Sequence, residues 1–223
     1  MVSEEDAGRF CCRNGGGLQM TDLERRVIDI SYKHKLSHLG SVLTSLPIIQ
    51  QIYKVKKMNE PFVNSCAHNS LALYVILEKY EFKDAEKLLE KHGVHCNRDI
   101  KDGIWASGGS LGHGIGIAVG MALADRSRNV YVLLSDGECA EGSVWEALRI
   151  ASEQRLENLR VTVNANSWGA YGKIDPDLLD LRLQYFYPSL LVKTNLLDWP
   201  EWLQGQEAHY HTMTEEEYKE VTK

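Results

Sequence analysis

The sequence predicts an α/β protein with a doubly wound, mostly parallel sheet and helices on both faces. Three observations carry this. NVYVLLSDG (129–137) is an apolar, β-branched run closed by Asp-Gly, and LRVTVN (159–164) is a second such run; both read as buried strands. The segment between them, Ser143 to Gln154, has helical periodicity. Strand, helix and strand in that order make a parallel crossover, the unit from which doubly wound sheets are built.

The remaining elements follow along the chain. Residues 1–20 are polar, hold three consecutive glycines and show no periodicity, so a flexible arm is expected there, with the folded domain over 21–223. Thr21 and Glu24 form a capping-box pattern that opens a helix with Leu23, Val27 and Ile30 on one face. Further helices are expected over Leu43–Lys56 and Ser70–Tyr80, and a short amphipathic one over Lys83–His92 that Gly93 ends. GGSLGHGIGIAVGMALA (108–124) starts as a glycine-rich turn and becomes a helix of small residues. SLLVKT (189–194) reads as a strand, and TEEEYKEV (214–221) as a terminal helix capped by Thr214.

Composition excludes several classes of function. The 223 residues are 43% hydrophobic and 25% charged, enough for a substantial core. A net charge of −6 without a Lys/Arg cluster argues against a nucleic-acid surface. No apolar run has membrane-spanning length and no signal pattern opens the chain, so a soluble cytoplasmic protein is expected. The five cysteines (Cys11, Cys12, Cys66, Cys96 and Cys139) are odd in number and lack disulfide spacing, as in a reducing compartment. His92, His95 and Cys96 make one metal-like cluster, without the second Cys/His pair a structural zinc needs.

Ligands of open parallel sheets lie beyond the carboxyl ends of the strands. Asp136 and Asn166 stand at two such ends. A carboxylate, an amide oxygen and main-chain carbonyls suit a hard cation such as Mg²⁺, which takes further oxygens from a diphosphate. Gly137 would let the backbone approach that diphosphate. Alone, each residue also reads as an ordinary turn or loop cap. Gly112-x-Gly114-x-Gly116 resembles a dinucleotide fingerprint, but no strand precedes it, which argues against NAD. The glycines serve either to bind phosphate at a helix N-terminus or to let Gly116 and Gly120 pack against a neighbouring helix or subunit. His38, His68, His95 and His209 all fall in segments of irregular composition; converging on one pocket, they would suit proton transfer and oxyanion contacts.

Taken together, these segments resemble the transketolase family, in particular the N-terminal, diphosphate-binding part that occurs as a separate subunit in split transketolases. The resemblance runs from about Leu23 to Lys219. Residues 135–175 are similar to the family's thiamine-diphosphate motif, which opens Gly-Asp-Gly and closes on asparagine. Asp136 and Asn166 keep that separation, and Ser135 replaces the first glycine. The resemblance implies Mg²⁺ held by Asp136, Asn166 and the main-chain oxygen of Trp168, with Gly137 and Glu138 lining the diphosphate. Glu141 matches a glutamate between paired active sites. SHLGS is similar to a Ser-Gly-His-Pro-Gly turn and places His38 near the reacting carbon. CAHNS is similar to Gly-His-Gly, which puts His68 against the diphosphate. His95 falls at a second His-Pro position, Gly109 and Leu111 lie beside the cofactor rings, and EAHYH picks out His209. The departures are Leu39 and Cys96 for prolines, Asn69 for glycine, a missing strand and helix after Asp175, and NLLDWPEWLQG in place of a glycine-rich turn.

The implied activity is transfer of a two-carbon ketol unit from a ketose or ketose phosphate to an aldose. The implied partner is a pyrimidine-binding, C-terminal-type transketolase subunit, with two copies of each chain. The rival expectations are another thiamine-diphosphate carboligation or decarboxylation in a specialised biosynthetic pathway, and a non-catalytic scaffold relative.

Overall fold

The computed structural model describes residues 20–169 and 172–223. The expected arm over 1–20 therefore lies outside the described residues except for Met20, which packs against the core. Helix α1 (Asp22–His34) opens on the predicted capping box: Thr21 Oγ1 accepts from the Glu24 amide, and the Glu24 carboxylate accepts from the Thr21 amide at 2.7 Å. Helix α2 (Leu39–Val55) starts four residues before the predicted position. Its first turns carry buried Ser41, Thr44 and Ser45 among apolar neighbours, so no amphipathic stripe marks the start.

Strand β1 (Phe62–Asn64) has only three residues and leaves no alternation to read. Helix α3 (Ser70–Glu81) and helix α4 (Ala85–His92, capped by Asp84 and closed by Gly93) follow as expected. Next come α5 (His113–Ala124), β2 (Val130–Ser135), α6 (Gly142–Glu153) and β3 (Leu159–Ala165). A small antiparallel pair, β4 (Trp168–Gly169) with β5 (Gly172–Lys173), then leads into α7 (Pro176–Phe186). Asp175 caps α7 and Pro176 occupies its first turn, where a missing N–H costs nothing. Strand β6 (Leu190–Lys193) and helix α8 (Glu215–Thr222) complete the described elements.

The main sheet is parallel throughout, in the order β1-β2-β3-β6. Its side chains alternate between two cores. Val130, Val132 and Leu134 of β2 join Val161 and Val163 of β3 against α5, α6 and α7. Phe62 and Leu133 face the other way, onto α1 to α4. That second face also holds a buried polar link: Asn164 of β3 donates to Thr44 Oγ1 at 2.9 Å and Ser45 Oγ at 3.1 Å, and accepts from Thr194 at 2.6 Å. This link fixes the start of α2 over the carboxyl ends of the strands. None of the described helices is long and apolar enough to cross a membrane.

Candidate functional site

Asp136 directly follows β2, and Asn166 directly follows the neighbouring β3. The Asp136 side chain is 2% exposed. Its Oδ1 accepts from the Gly137 amide at 3.0 Å and its Oδ2 from the Ser167 amide at 2.7 Å, so one carboxylate ties both strand-end loops. Burial outweighs these hydrogen bonds and pushes the carboxyl up to about 7. Asn166 Oδ1 accepts from the Trp168 amide at 3.0 Å across Ser167, whose φ of 71° is left-handed. The two loops pack closely: a Cβ on Gly169 would lie 2.8 Å from Ile174 Cδ1 and 3.4 Å from Gly137 Cα.

These groups open into a cavity of about 190 Å³. His38, His68, His95 and His209 all line it, together with Gly109, Leu111, Asp136, Gly137, Asn166 and Trp168. The His38 ring lies 5.4 Å from His68 and 6.1 Å from His209, centroid to centroid. Burial pushes the His68 imidazole down to about 3, with the nearby His38, His209 and His95 adding to the shift. It lowers His38 and His209 as well. These three rings are therefore uncharged at neutral pH and work as hydrogen-bonding groups. The main chain joins two of their loops, since the His38 amide donates to the His209 carbonyl at 2.9 Å. The GGSLG turn is seated just as closely: a Cβ on Gly108 would fall 2.1 Å from Ala67 Cβ, beside His68.

One expected diphosphate contact is placed elsewhere. The Glu138 side chain is fully buried and does not line the cavity. Its Oε1 accepts from Ser65 Oγ at 2.6 Å and the Gly112 amide at 2.9 Å, and its Oε2 accepts from the Ser135 amide at 3.1 Å. The carboxylate turns inward because three donors meet there. It also occupies the amide at the start of α5, where the sequence left a phosphate open. Of the small residues on α5, Gly114 makes the close contact, 2.7 Å from Ser65 for an added Cβ, whereas Gly116 and Gly120 face open space.

The element immediately before α5 is a short 3₁₀ turn (Ile100–Asp102) and not a strand, so the glycine-rich turn does not leave a strand end. The zinc-like trio does not assemble either. His92 Nε2 pairs with Asp102 at 2.9 Å, Cys96 is buried near the Ala106 carbonyl, and His95 sits on the cavity wall. Cys66, Cys96 and Cys139 are free and buried. Sequence reasoning missed Ser41, Ser135, Gly169 and Tyr210, which also line the cavity. Tyr210 adjoins His209, and Ser135 adjoins Asp136, so adjacency to the motifs was the available signal.

A cleft built in this way, at the carboxyl ends of an open parallel sheet, places the chain among doubly wound cofactor-binding domains. Comparison makes the class specific. Residues 21–186 match the transketolase, thiamine diphosphate binding domain. The chain belongs to the transketolase family and carries its thiamine-diphosphate-binding domain. It is similar to one subunit of the apulose-4-phosphate transketolase of Phocaeicola vulgatus, 32% identical over 169 residues, covering 67% of this chain and 60% of that protein. It is 36% identical over 124 residues to human transketolase, covering 50% of this chain and 19% of that protein. The solved transketolase of Leishmania mexicana superposes with a TM-score of 0.70 at 20% identity, over 91% of this chain and 41% of that one. The chain thus spans under two thirds of the length of each of these proteins.

Proposed function

We propose that the chain is the diphosphate-binding subunit of a split, transketolase-like enzyme, acting through a single domain over residues 21–223. With thiamine diphosphate and Mg²⁺ it moves a two-carbon ketol unit from a ketose or ketose phosphate to an aldose. The observation that carries this reading is the meeting of Asp136 and Asn166 in a cavity walled by four histidines.

The donor set fits the metal. Asp136 is buried at a cost that its two amide hydrogen bonds do not offset, and a divalent cation would offset it. The Asn166 amide oxygen and the Trp168 main-chain oxygen complete a hard set of the kind Mg²⁺ shares with a diphosphate. When bound, thiamine diphosphate supplies a thiazolium carbon that is nucleophilic toward a ketose carbonyl. Gly137 and His68 would hold the diphosphate, and Gly109 and Leu111 would line the cofactor's rings. His38 and His209, being uncharged, would hold or give a proton at substrate oxygens, and His95 lines the same cavity.

The pyrimidine-binding, C-terminal-type partner supplies the other wall of the cofactor site, in a cytoplasmic complex of two copies of each chain. Exposed Gly116 and Gly120 on α5, with Glu141 near its start, support self-association through that helix. Reconstitution tests the reading. The purified chain alone should give no ketol transfer, and adding the partner subunit should restore it; robust turnover by the chain alone would refute this. A second reading, a different thiamine-diphosphate carboligation or decarboxylation, is favoured by one observation: α7 and β6 are separated by only three residues. In that case the complex would consume a 2-oxo acid in place of a ketose.

A further inference from the structure

The backbone of His38 is held on both sides. Its φ of 60° is left-handed, its amide donates to the His209 carbonyl at 2.9 Å, and its carbonyl accepts from the Val42 amide at 3.1 Å. What remains free is the side chain, and one group touches its ring nitrogens: Ser37 Oγ lies 2.9 Å from His38 Nδ1. Among the described residues the Ser37 hydroxyl has no other protein partner, and His38 Nε2 has none. A hydroxyl that accepted from Nδ1–H would leave its own hydrogen without an acceptor in the protein. Donating to Nδ1 satisfies both groups at once.

We infer that Ser37 is a positioning residue: its hydroxyl donates to His38 Nδ1 and fixes the imidazole as the Nε2–H tautomer, a neutral N–H donor facing the cavity. The hydrogen bond made by one ring nitrogen decides what the other can do. His38 lines the cavity with His68, His209 and Tyr210 around it, the Tyr210 ring at 5.6 Å. A donor set in place before the reaction stabilises negative charge developing on an oxygen without reorganisation. Burial keeps the ring uncharged, so the donor is the tautomer's N–H and not an imidazolium. Glycine stands before the histidine in the turn that SHLGS resembles, and glycine offers no such hydroxyl.

The catalytic consequence rests on the ketol-transfer reading, whereas the tautomer does not. The test uses the full chain labelled with ¹⁵N-histidine at pH 8, where the His38 ring is neutral. The His38 ring signals are assigned by their loss in His38→Gln. The wild type and Ser37→Thr should show a protonated Nε2 and a bare Nδ1, and Ser37→Ala should drift to a mixture of tautomers. A wild-type His38 protonated on Nδ1, or an unchanged tautomer in Ser37→Ala, would overturn the inference. In the complex with the partner subunit, Ser37→Ala should lower kcat about fivefold, the rate equivalent of one neutral hydrogen bond. KM should hold and Ser37→Thr should restore the rate; an unchanged kcat would overturn the catalytic part. Should the complex turn over no ketose, the ketol-transfer reading fails, and the tautomer measurement still decides the role of Ser37.

Discussion

Replacing Glu138 separates a brace from a cofactor ligand. Its carboxylate is fully buried and accepts from Ser65 Oγ, the Gly112 amide and the Ser135 amide, three donors on three segments that frame the cavity. Glu138→Ala leaves all three without an acceptor. At about 1–3 kcal/mol for each buried donor left unpaired, and with relief of the buried carboxylate as a partial offset, the net loss should be about 4 kcal/mol. Glu138→Gln is milder. Its amide oxygen can keep the Ser65 and Gly112 bonds, but its NH₂ then meets the Ser135 amide donor to donor, for about 2 kcal/mol. Urea unfolding should therefore rank the wild type above Gln and Gln above Ala at similar m-values. At saturating cofactor, the Gln variant should still bind thiamine diphosphate. A loss below about 1 kcal/mol in Glu138→Ala, or impaired binding at unchanged stability, would return Glu138 to the cofactor contacts.

Two further outcomes follow from the same geometry. The buried His68 has a folded pKa of about 3, and the unfolded chain protonates it near 6.5. Its contribution to stability is therefore complete above pH 7 and falls by about 1.4 kcal/mol per pH unit below 6.5, or about 2 kcal/mol at pH 5. Denaturation between pH 7.5 and 5 should show a shallower acid slope for His68→Gln, and equal slopes would contradict the burial. Gly116 has open space beyond its Cα, so Gly116→Phe should leave the unfolding midpoint within about 0.5 kcal/mol of wild type while sedimentation reports loss of self-association. An unchanged assembly would remove α5 from the interface.

Much of the fold was legible because its signals are local. The Thr21 capping box, the Thr214 cap, the β-branched runs of β2 and β3, and Gly93 after α4 each announce themselves within a few residues. The start of α2 was not, because Thr44 and Ser45 are polar residues buried by a tertiary network with Asn164, and Ser41 is buried beside them, which is invisible to periodicity. The three residues of β1 are too few to show alternation. In the site, strand ends and histidine-bearing turns located the cavity wall. The direction of a side chain is a three-dimensional property: Glu138 adjoins Gly137 in sequence yet points to Ser65, 73 positions away. The contact of Ser37 with the His38 ring is likewise a matter of rotamer, beyond the reach of spacing.

The most direct test of the site is a calorimetric titration of thiamine diphosphate into the chain with its partner subunit, with Mg²⁺ or with chelator. Wild type should bind only with the metal, and Asp136→Ala should weaken binding on the order of 100-fold while the circular dichroism stays that of a folded chain. Asn166→Ala should act in the same direction but less, since a neutral amide gives up less electrostatic energy to the cation. Equal affinity in wild type and Asp136→Ala, or binding indifferent to the metal, would contradict a metal-diphosphate site at the ends of β2 and β3.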